Sequence, residues 1–192
     1  MKVLGIAGSP RYGSNTGILL EEALNGAKDK GAETKLIHVA ELNMMDCSHC
    51  DACLRIGRCP FQDDALKTFN EVNQSDIVIV AAPLHFMGIP SQLKKLVDRA
   101  QSYWARKYVL KLPPLEDIRE RKGFFISVAG RMTDNLFAGA GETMKTFFAS
   151  LDIKYAGMLC YAGIDAFAAV NEHPDMKQAA FEAGVKLVVG DG

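Results

Sequence analysis

Apolar residues along the chain fall into five short runs, and each run is followed by a segment with helical spacing. Apolar runs of about four to eight residues are typical of strands that are covered on both faces, as in a parallel sheet. The third run is the most uniformly apolar, which predicts the central strand. The five runs span residues 2–8, 34–40, 76–83, 122–129 and 153–161.

The segments between and after these runs carry apolar residues on one helical face. Asp63 and Asp64 open the second of them with negative charge, which favours the start of a helix. The segment 105–121 is basic and contains prolines, so it is predicted to connect two elements. The predicted helices cover residues 18–27, 63–72, 91–104, 136–150 and 175–188. Strands that alternate with helices predict a single parallel sheet with helices on both faces, in one domain spanning residues 1–192.

Composition and charge narrow the class of protein. Hydrophobic residues make up 48% and charged residues 23% of the chain, which is ordinary for a globular protein. The formal net charge is −1, so no global positive field indicates nucleic acid or an anionic membrane as a partner. No apolar run approaches the roughly 20 residues that cross a bilayer. The chain opens directly as a strand, without a charged leader, and we expect a cytoplasmic protein.

The loop after the first strand is rich in small and hydroxyl-bearing residues and precedes a helix. Backbone N–H groups at a helix start, together with the helix dipole, favour a bound anion such as phosphate. The side chains that would assist are Ser9, Arg11, Ser14, Asn15 and Thr16. The loop matches neither the ATP-binding nor the dinucleotide-binding glycine pattern. The alternative is that Ser14 or Asn15 merely caps the helix.

The loop after the third strand carries apolar residues outside the sheet, which suits one face of a flat aromatic ring. Its residues are Pro83, Leu84, His85, Phe86, Met87 and Gly88, and Ala129 with Gly130 at the end of the fourth strand join this set. These loops would flank the switch point of a sheet of order 2-1-3-4-5, where such folds hold FMN. The alternative is a loop tucked under a neighbouring helix or subunit, and the role of Arg131 stays open.

Four of the five cysteines lie close together in the loop 43–62, after the second strand. They are Cys47, Cys50, Cys53 and Cys59, with the spacing C-x2-C-x2-C-x5-C followed by proline. Three thiols within seven residues can converge on one soft metal group, which favours a [4Fe–4S] cluster with all four cysteines as ligands. Zinc is the rival metal, and an empty cysteine-rich loop is the third interpretation. Cys160, in the fifth strand, is expected to be a buried, inert thiol.

Three motifs together resemble a known family. The segment G-S-P-R-Y-G-S-N-T at 8–16 is similar to the phosphate loop of the flavodoxin-like NAD(P)H-dependent FMN reductases. The segment 83–90, with Lys94 and Asp98-Arg99, is similar to their second flavin loop and the helix after it. The cysteine motif at 47–59 resembles the iron-sulfur flavoprotein branch of this family, which is known from anaerobic archaea. The resemblance covers nearly the whole chain.

This resemblance implies a flavodoxin-like fold, FMN and a [4Fe–4S] cluster as cofactors, and either a homodimer or a dimer of dimers. The leading hypothesis is an electron-transfer flavoprotein that moves electrons between cluster and FMN, from a ferredoxin-like donor to a small acceptor. No catalytic residue is assigned beyond the cofactor ligands. The alternative is a cluster-free reductase, in which NAD(P)H reduces FMN and a quinone, flavin or metal ion is reduced in turn. A third hypothesis is a zinc-bound binding module on the same scaffold.

Overall fold

Five parallel strands form one sheet in the computed structural model, which describes residues 1–113 and 119–190. The spatial order is β2-β1-β3-β4-β5, as predicted. The third strand lies at the centre, and its first six residues are buried. The strands are β1 (Lys2–Ala7), β2 (Glu33–His38), β3 (Ile77–Pro83), β4 (Lys122–Ala129) and β5 (Lys154–Ala162).

Helices follow every strand in the described part of the chain. The α-helices are α1 (Asn15–Asp29), α2 (Ala52–Ile56), α3 (Asp64–Gln74), α4 (Ser91–Arg99), α5 (Gln101–Trp104), α6 (Ala138–Ser150) and α7 (Pro174–Val189). Short 3₁₀ turns occupy Val39–Glu41 and Ala169–Glu172. Among the described residues, no helix combines the length and the apolar character that a bilayer crossing needs.

Two hydrophobic cores cover the two faces of the sheet, because successive side chains of a strand point to opposite faces. Leu4 and Val78 face one core together with Phe69 of α3, and helices α4 and α6 complete it. Val3 and Ile79 face the other core, which α1 and α7 cover. Coverage on both faces explains why the strands are apolar along most of their length.

Helices α1 and α7 touch through their backbones at two glycines. A Cβ atom on Gly26 of α1 would lie 2.0 Å from the carbonyl oxygen of Phe181. A Cβ atom on Gly184 of α7 would lie 1.8 Å from the carbonyl oxygen of Ala23. No side chain tolerates such a distance, so this close crossing depends on both residues being glycine.

The segment after α5 corrects one sequence prediction. The connecting segment predicted at 105–121 is wrong for its first five residues, because Ala105–Val109 form a π-helix that continues α5. Ala105 is fully buried, and the Lys107 ammonium donates to the carbonyl oxygen of Ala149 at 2.7 Å. These contacts with the body of the protein hold the extra turn in place. Residues 114–118 of the predicted segment, Pro114 included, lie outside the described residues.

Candidate functional site

A cleft of about 320 Å³ opens at the carboxyl edge of the sheet, where the loops after β1, β3, β4 and β5 meet. Ligands of open α/β sheets bind at this edge, at the point where the strand order reverses. Ten of the thirteen residues predicted to bind FMN line the cleft, namely Ser9, Arg11, Ser14, Asn15, Thr16, Pro83, Leu84, His85, Ala129 and Gly130. Residues chosen from separate parts of the sequence therefore converge on one surface.

The amino terminus of α1 opens into one end of this cleft. Ser14 caps the helix, because its Oγ accepts a hydrogen bond from the N–H of Gly17 at 3.2 Å. The Thr16 hydroxyl is buried, with its Oγ1 3.4 Å from the Oγ of Ser14. No acidic residue occupies the first turn, so the helix dipole leaves positive potential at this end. The capping role of Ser14 is thus observed, and the same geometry suits an anion.

A hydrogen bond to the side chain of Ser9 stabilises the turn at the start of the loop between β1 and α1. The Oγ of Ser9 accepts a hydrogen bond from the N–H of Arg11 at 3.2 Å, and Ser9 is buried. The Arg11 side chain is exposed at the cleft, and no described carboxylate pairs with its guanidinium group. Arg11 is therefore a cation available to an anionic ligand at this end of the cleft.

The loop after β5 closes the opposite side of the cleft, and sequence analysis did not identify it. It contributes Ile164, Asp165 and Phe167 to the lining. Gly130 makes room for it, because a Cβ atom there would lie 2.4 Å from the Oδ1 of Asp165. The one sequence signal was positional: this loop follows the fifth strand and therefore lies at the same edge of the sheet.

The loop after β3 ends in a tight turn that projects beyond the cleft. His85 and Gly88 exchange two backbone hydrogen bonds of 3.0 Å, and Phe86 and Met87 between them have φ angles of 50° and 65°. This is the geometry of a type I′ turn, which asparagine and glycine normally occupy. The Phe86 side chain is fully exposed. Phe86, Met87 and Gly88 thus lie outside the cleft lining, although they were predicted alongside its residues.

The cysteine loop lies after β2 and before helix α3, as predicted, and it contains the short helix α2, which was not predicted. Cys47 and Cys50 are exposed, Cys53 and Cys59 are half-buried, and all four are free thiols. Together they line a second, smaller cavity of about 20 Å³. Gly57 ends the short helix α2 with a φ angle of 67°, which glycine adopts without strain and which turns the chain back toward Cys59. All four cysteines therefore line one cavity, and their assignment as ligands of one metal group stays a prediction.

The donor chemistry of this cavity suits a soft metal group. Burial raises the pKa of the Cys53 thiol, and the neighbouring Cys47, Cys59 and Cys50 raise it further. Neighbouring thiolates repel each other, so each thiol resists losing its proton. A bound cation offsets this repulsion and stabilises the thiolate form. Within the described ranges, however, no group of three or more His, Cys, Asp or Glu side chains is arranged as a metal site. The four thiols nevertheless fit a cluster or zinc by their chemistry and by the cavity that they share.

Cys160 differs from the four loop cysteines. It lies on β5 and is half-buried rather than fully buried, which corrects the sequence prediction on this point. Burial of its thiol raises the pKa to about 11. A thiol with such a pKa is almost entirely protonated at neutral pH.

The parallel sheet order and the cleft at its switch point define a flavodoxin-like protein. The chain is similar to NAD(P)H:quinone oxidoreductase from Methanothermobacter marburgensis, with a TM-score of 0.74 and 19% identity over 100% of this chain and 98% of that chain. It is also similar to an FMN-dependent NADH-azoreductase from Bacillus anthracis in complex with FMN, with a TM-score of 0.66 and 15% identity over 97% and 99% of the two chains. At these identities the comparison shows the fold.

Residues 1–137 match the family NADPH-dependent FMN reductase, and the chain belongs to this family. A relative in Methanocaldococcus jannaschii, an iron-sulfur flavoprotein, is 40% identical over 53% of this chain and 52% of its own. An iron-sulfur flavoprotein of Methanosarcina thermophila is 35% identical over 58% of each chain. The match therefore spans about half the length of these curated relatives. The predicted family is confirmed, and the relatives named iron-sulfur flavoproteins support the predicted branch.

Proposed function

We propose that the protein is a flavin-dependent oxidoreductase that binds FMN in the cleft and exchanges electrons between FMN and a [4Fe–4S] cluster. One observation carries the proposal: residues from four loops converge on a cleft at the switch point of the sheet. The cavity that the four cysteines share supports the cluster. The family supports FMN, and the names of the relatives support an iron-sulfur group.

The residues of the cleft divide the binding of FMN between its two ends. The N–H groups at the start of α1, with Ser9, Ser14 and Arg11, hold the phosphate by hydrogen bonds and charge. Leu84 and Ile164 supply apolar walls for the ring system. FMN, when bound, supplies chemistry that accepts two electrons and releases them singly or in pairs. The protein binds and orients it, and no side chain is assigned as a proton donor.

The cysteine loop completes the electron path in this proposal. Cys47, Cys50, Cys53 and Cys59 hold the cluster as thiolates. A ferredoxin-like protein or NAD(P)H supplies the electrons, and a small molecule accepts them. Exposed apolar side chains close to the cleft, among them Tyr12, Phe86 and Phe167, support a subunit interface there and hence a homodimer or dimer of dimers.

Metal, sulfide and flavin analysis of protein purified without air tests the proposal. We expect one FMN and about four irons and four acid-labile sulfides per chain, with flavin and cluster bands in the visible spectrum. Stoichiometric zinc without flavin would replace the proposal by the binding-module hypothesis. Absence of both flavin and sulfide after reconstitution would contradict it outright.

A cluster-free NAD(P)H-dependent reductase is the second candidate function. The match to the NADPH-dependent FMN reductase family favours it, because the family name implies a nicotinamide donor and FMN. Protein that binds FMN without iron, and whose flavin absorbance bleaches rapidly on addition of NADPH, would establish this function. Slow bleaching by NADPH combined with rapid bleaching by reduced ferredoxin would exclude it.

A further inference from the structure

A buried ion pair between Arg99 and Asp63 lies at the base of the cysteine loop. The Arg99 Nη1 donates to the Asp63 Oδ2 at 2.6 Å, and its Nη2 donates to the Oδ1 at 3.2 Å. The Arg99 side chain is 2% exposed and that of Asp63 is 13% exposed. Such a two-pronged contact fixes the plane of the guanidinium group, which a lysine cannot reproduce.

The same pair joins the two ends of the loop. The Nη1 of Arg99 also donates to the carbonyl oxygen of Met45, and Asp63 accepts a hydrogen bond from the N–H of Met45, both at 2.9 Å. Beside them, the N–H of Asn43 donates to the Oδ2 of Asp64 at 2.9 Å. Residues before the first cysteine are therefore held against residues after the last one. We call Arg99 and Asp63 the loop clamp.

Each side chain of the loop clamp stabilises the charged form of the other. Burial opposes ionisation of Asp63, but hydrogen bonds from Arg99 and from the N–H of Met45 outweigh it and lower the pKa of the carboxyl. Burial likewise opposes the charge on Arg99, while Asp63 and the adjacent Cys59 raise its pKa. Both side chains are thus ionised at neutral pH. A permanent positive charge lies against the cavity that the four cysteines line.

One donor of this guanidinium group is unused. The Nε of Arg99 is buried and has no hydrogen-bond partner among the described residues. Arg99 lines the cavity of the four thiols, with Cys59 close by. Buried donors are nearly always satisfied in folded proteins, so an unused one indicates an acceptor that completes the site. Sulfur atoms of thiolates or of an iron-sulfur group are acceptors of this kind.

We propose that Arg99 is a positioning residue of the cysteine site, which fixes the loop through Asp63 and donates a hydrogen bond from its Nε to a sulfur atom held there. The inference rests on the proposed function, because it assumes that the four thiols hold a sulfur-rich group. Hydrogen bonds to sulfur are one of the factors that set the reduction potential of a cluster. The added donor stabilises the reduced, more negative state, so it raises the potential.

The variant Arg99→Lys keeps the charge but removes both the Nε donor and the two-pronged contact with Asp63. Asp63→Asn weakens that contact and keeps the Nε donor, so it is titrated beside Arg99→Lys. Lys95→Met is the control, since Lys95 is paired with Asp46 at 3.0 Å outside the clamp and carries the same charge near the loop. At a fixed applied potential, we expect the ratio of reduced to oxidised cluster to be at least tenfold lower in Arg99→Lys than in the wild type. A tenfold change corresponds to a reduction potential about 59 mV lower for a one-electron couple. EPR-monitored redox titration measures this. A change below threefold, or an equal change in Lys95→Met or in Asp63→Asn, would overturn the hydrogen bond.

Hydrogen exchange of FMN-loaded protein without cluster gives an independent readout. We expect the N–H of Met45 to exchange at least tenfold faster in Arg99→Lys and unchanged in Lys95→Met, because Asp63 loses its fixed partner. Unaltered protection would overturn the loop clamp. Asp63→Asn takes the place of Arg99→Lys, with the same expectation, if the latter does not fold. If the wild type takes up no iron or sulfide, the proposed cluster and the hydrogen bond to it both fail, while exchange still decides the clamp.

Discussion

The side-chain amide of Asn15 bonds to two backbone groups of the loop near Val170, across the candidate FMN cleft. Its Nδ2 donates to the carbonyl oxygen of Ala166 at 2.9 Å, and its Oδ1 accepts from the N–H of Val170 at 3.0 Å. These partners are 151 and 155 positions away in the chain. One side chain at the start of α1 thus ties the first loop of the cleft to the last, and both ends of the amide are used.

Replacing Asn15 by alanine is expected to loosen the last loop and weaken FMN binding. Loss of two hydrogen bonds at about 1 kcal/mol each lowers the free energy of unfolding by about 2 kcal/mol. We expect the Kd for FMN to rise roughly tenfold, because a loosened loop must be ordered again on binding. Urea unfolding and quenching of flavin fluorescence measure the two quantities. Asn171→Ala, at an exposed residue nearby, serves as the control and is expected to change neither; equal effects in both variants would contradict this role of Asn15.

The sequence was sufficient to predict those residues of the cleft that directly follow a strand and carry chemistry suited to a ligand. Ser9 and Gly130 follow apolar runs directly, so the edge rule for parallel sheets was enough to bring them together. Ile164 and Asp165 also follow a strand, but neither carries chemistry that marks a ligand site. The N–H of Ile164 donates to the carbonyl oxygen of Ala129 at 3.1 Å, and Asn15 holds the neighbouring residues of this loop across more than 150 positions. Contacts at such a separation leave no local pattern in the sequence.

Two local backbone conformations were also not predictable from the sequence. Phe86 and Met87 occupy positive φ angles in a turn that favours asparagine and glycine. The residue types of this segment predict an apolar loop. They do not predict a tight turn that projects Phe86 away from the cleft. The π-helix at Ala105–Val109 was missed for a related reason, because its basic residues indicated solvent while Ala105 is buried in the body of the protein. At the π-helix, tertiary packing overrode the local preference.

Removing one cysteine of the loop is expected to abolish cluster binding and leave FMN in place. Cys53 is the test position, because it is half-buried and interacts electrostatically with the other three thiols. We expect Cys53→Ser to retain less than about a tenth of the wild-type iron after anaerobic reconstitution, since a hydroxyl is a poor substitute for a thiolate ligand. Cys160→Ser is the matched control and is expected to keep full iron. Iron loss in Cys160→Ser, or normal iron in Cys53→Ser, would refute the ligand assignment.

The glycine contact between α1 and α7 predicts a large effect of one methyl group. In Gly184→Ala the new Cβ would lie 1.8 Å from the carbonyl oxygen of Ala23, so the helices must separate. Overpacking of this kind costs about 1–3 kcal/mol. At Gly141, in α6, the nearest atom to a new Cβ is the Met158 sulfur at 3.5 Å, an ordinary contact. Gly141→Ala is therefore expected to be neutral or stabilising by up to about 1 kcal/mol through helix propensity. Chemical denaturation compares the two, and equal stability would contradict the close crossing.

The reactivity of Cys160 should depend on pH in a way that its raised pKa dictates. With a pKa of about 11, about one thiol in a thousand is ionised at pH 8, against roughly a quarter for an ordinary cysteine. Alkylation by iodoacetamide is therefore expected to be on the order of tenfold or more slower in folded protein than in urea, after allowance for the higher nucleophilicity of a basic thiolate. The rate in folded protein should keep rising between pH 9 and about 11, as peptide mass spectrometry can follow. A plateau near pH 9 would show that burial does not protect this thiol from ionisation.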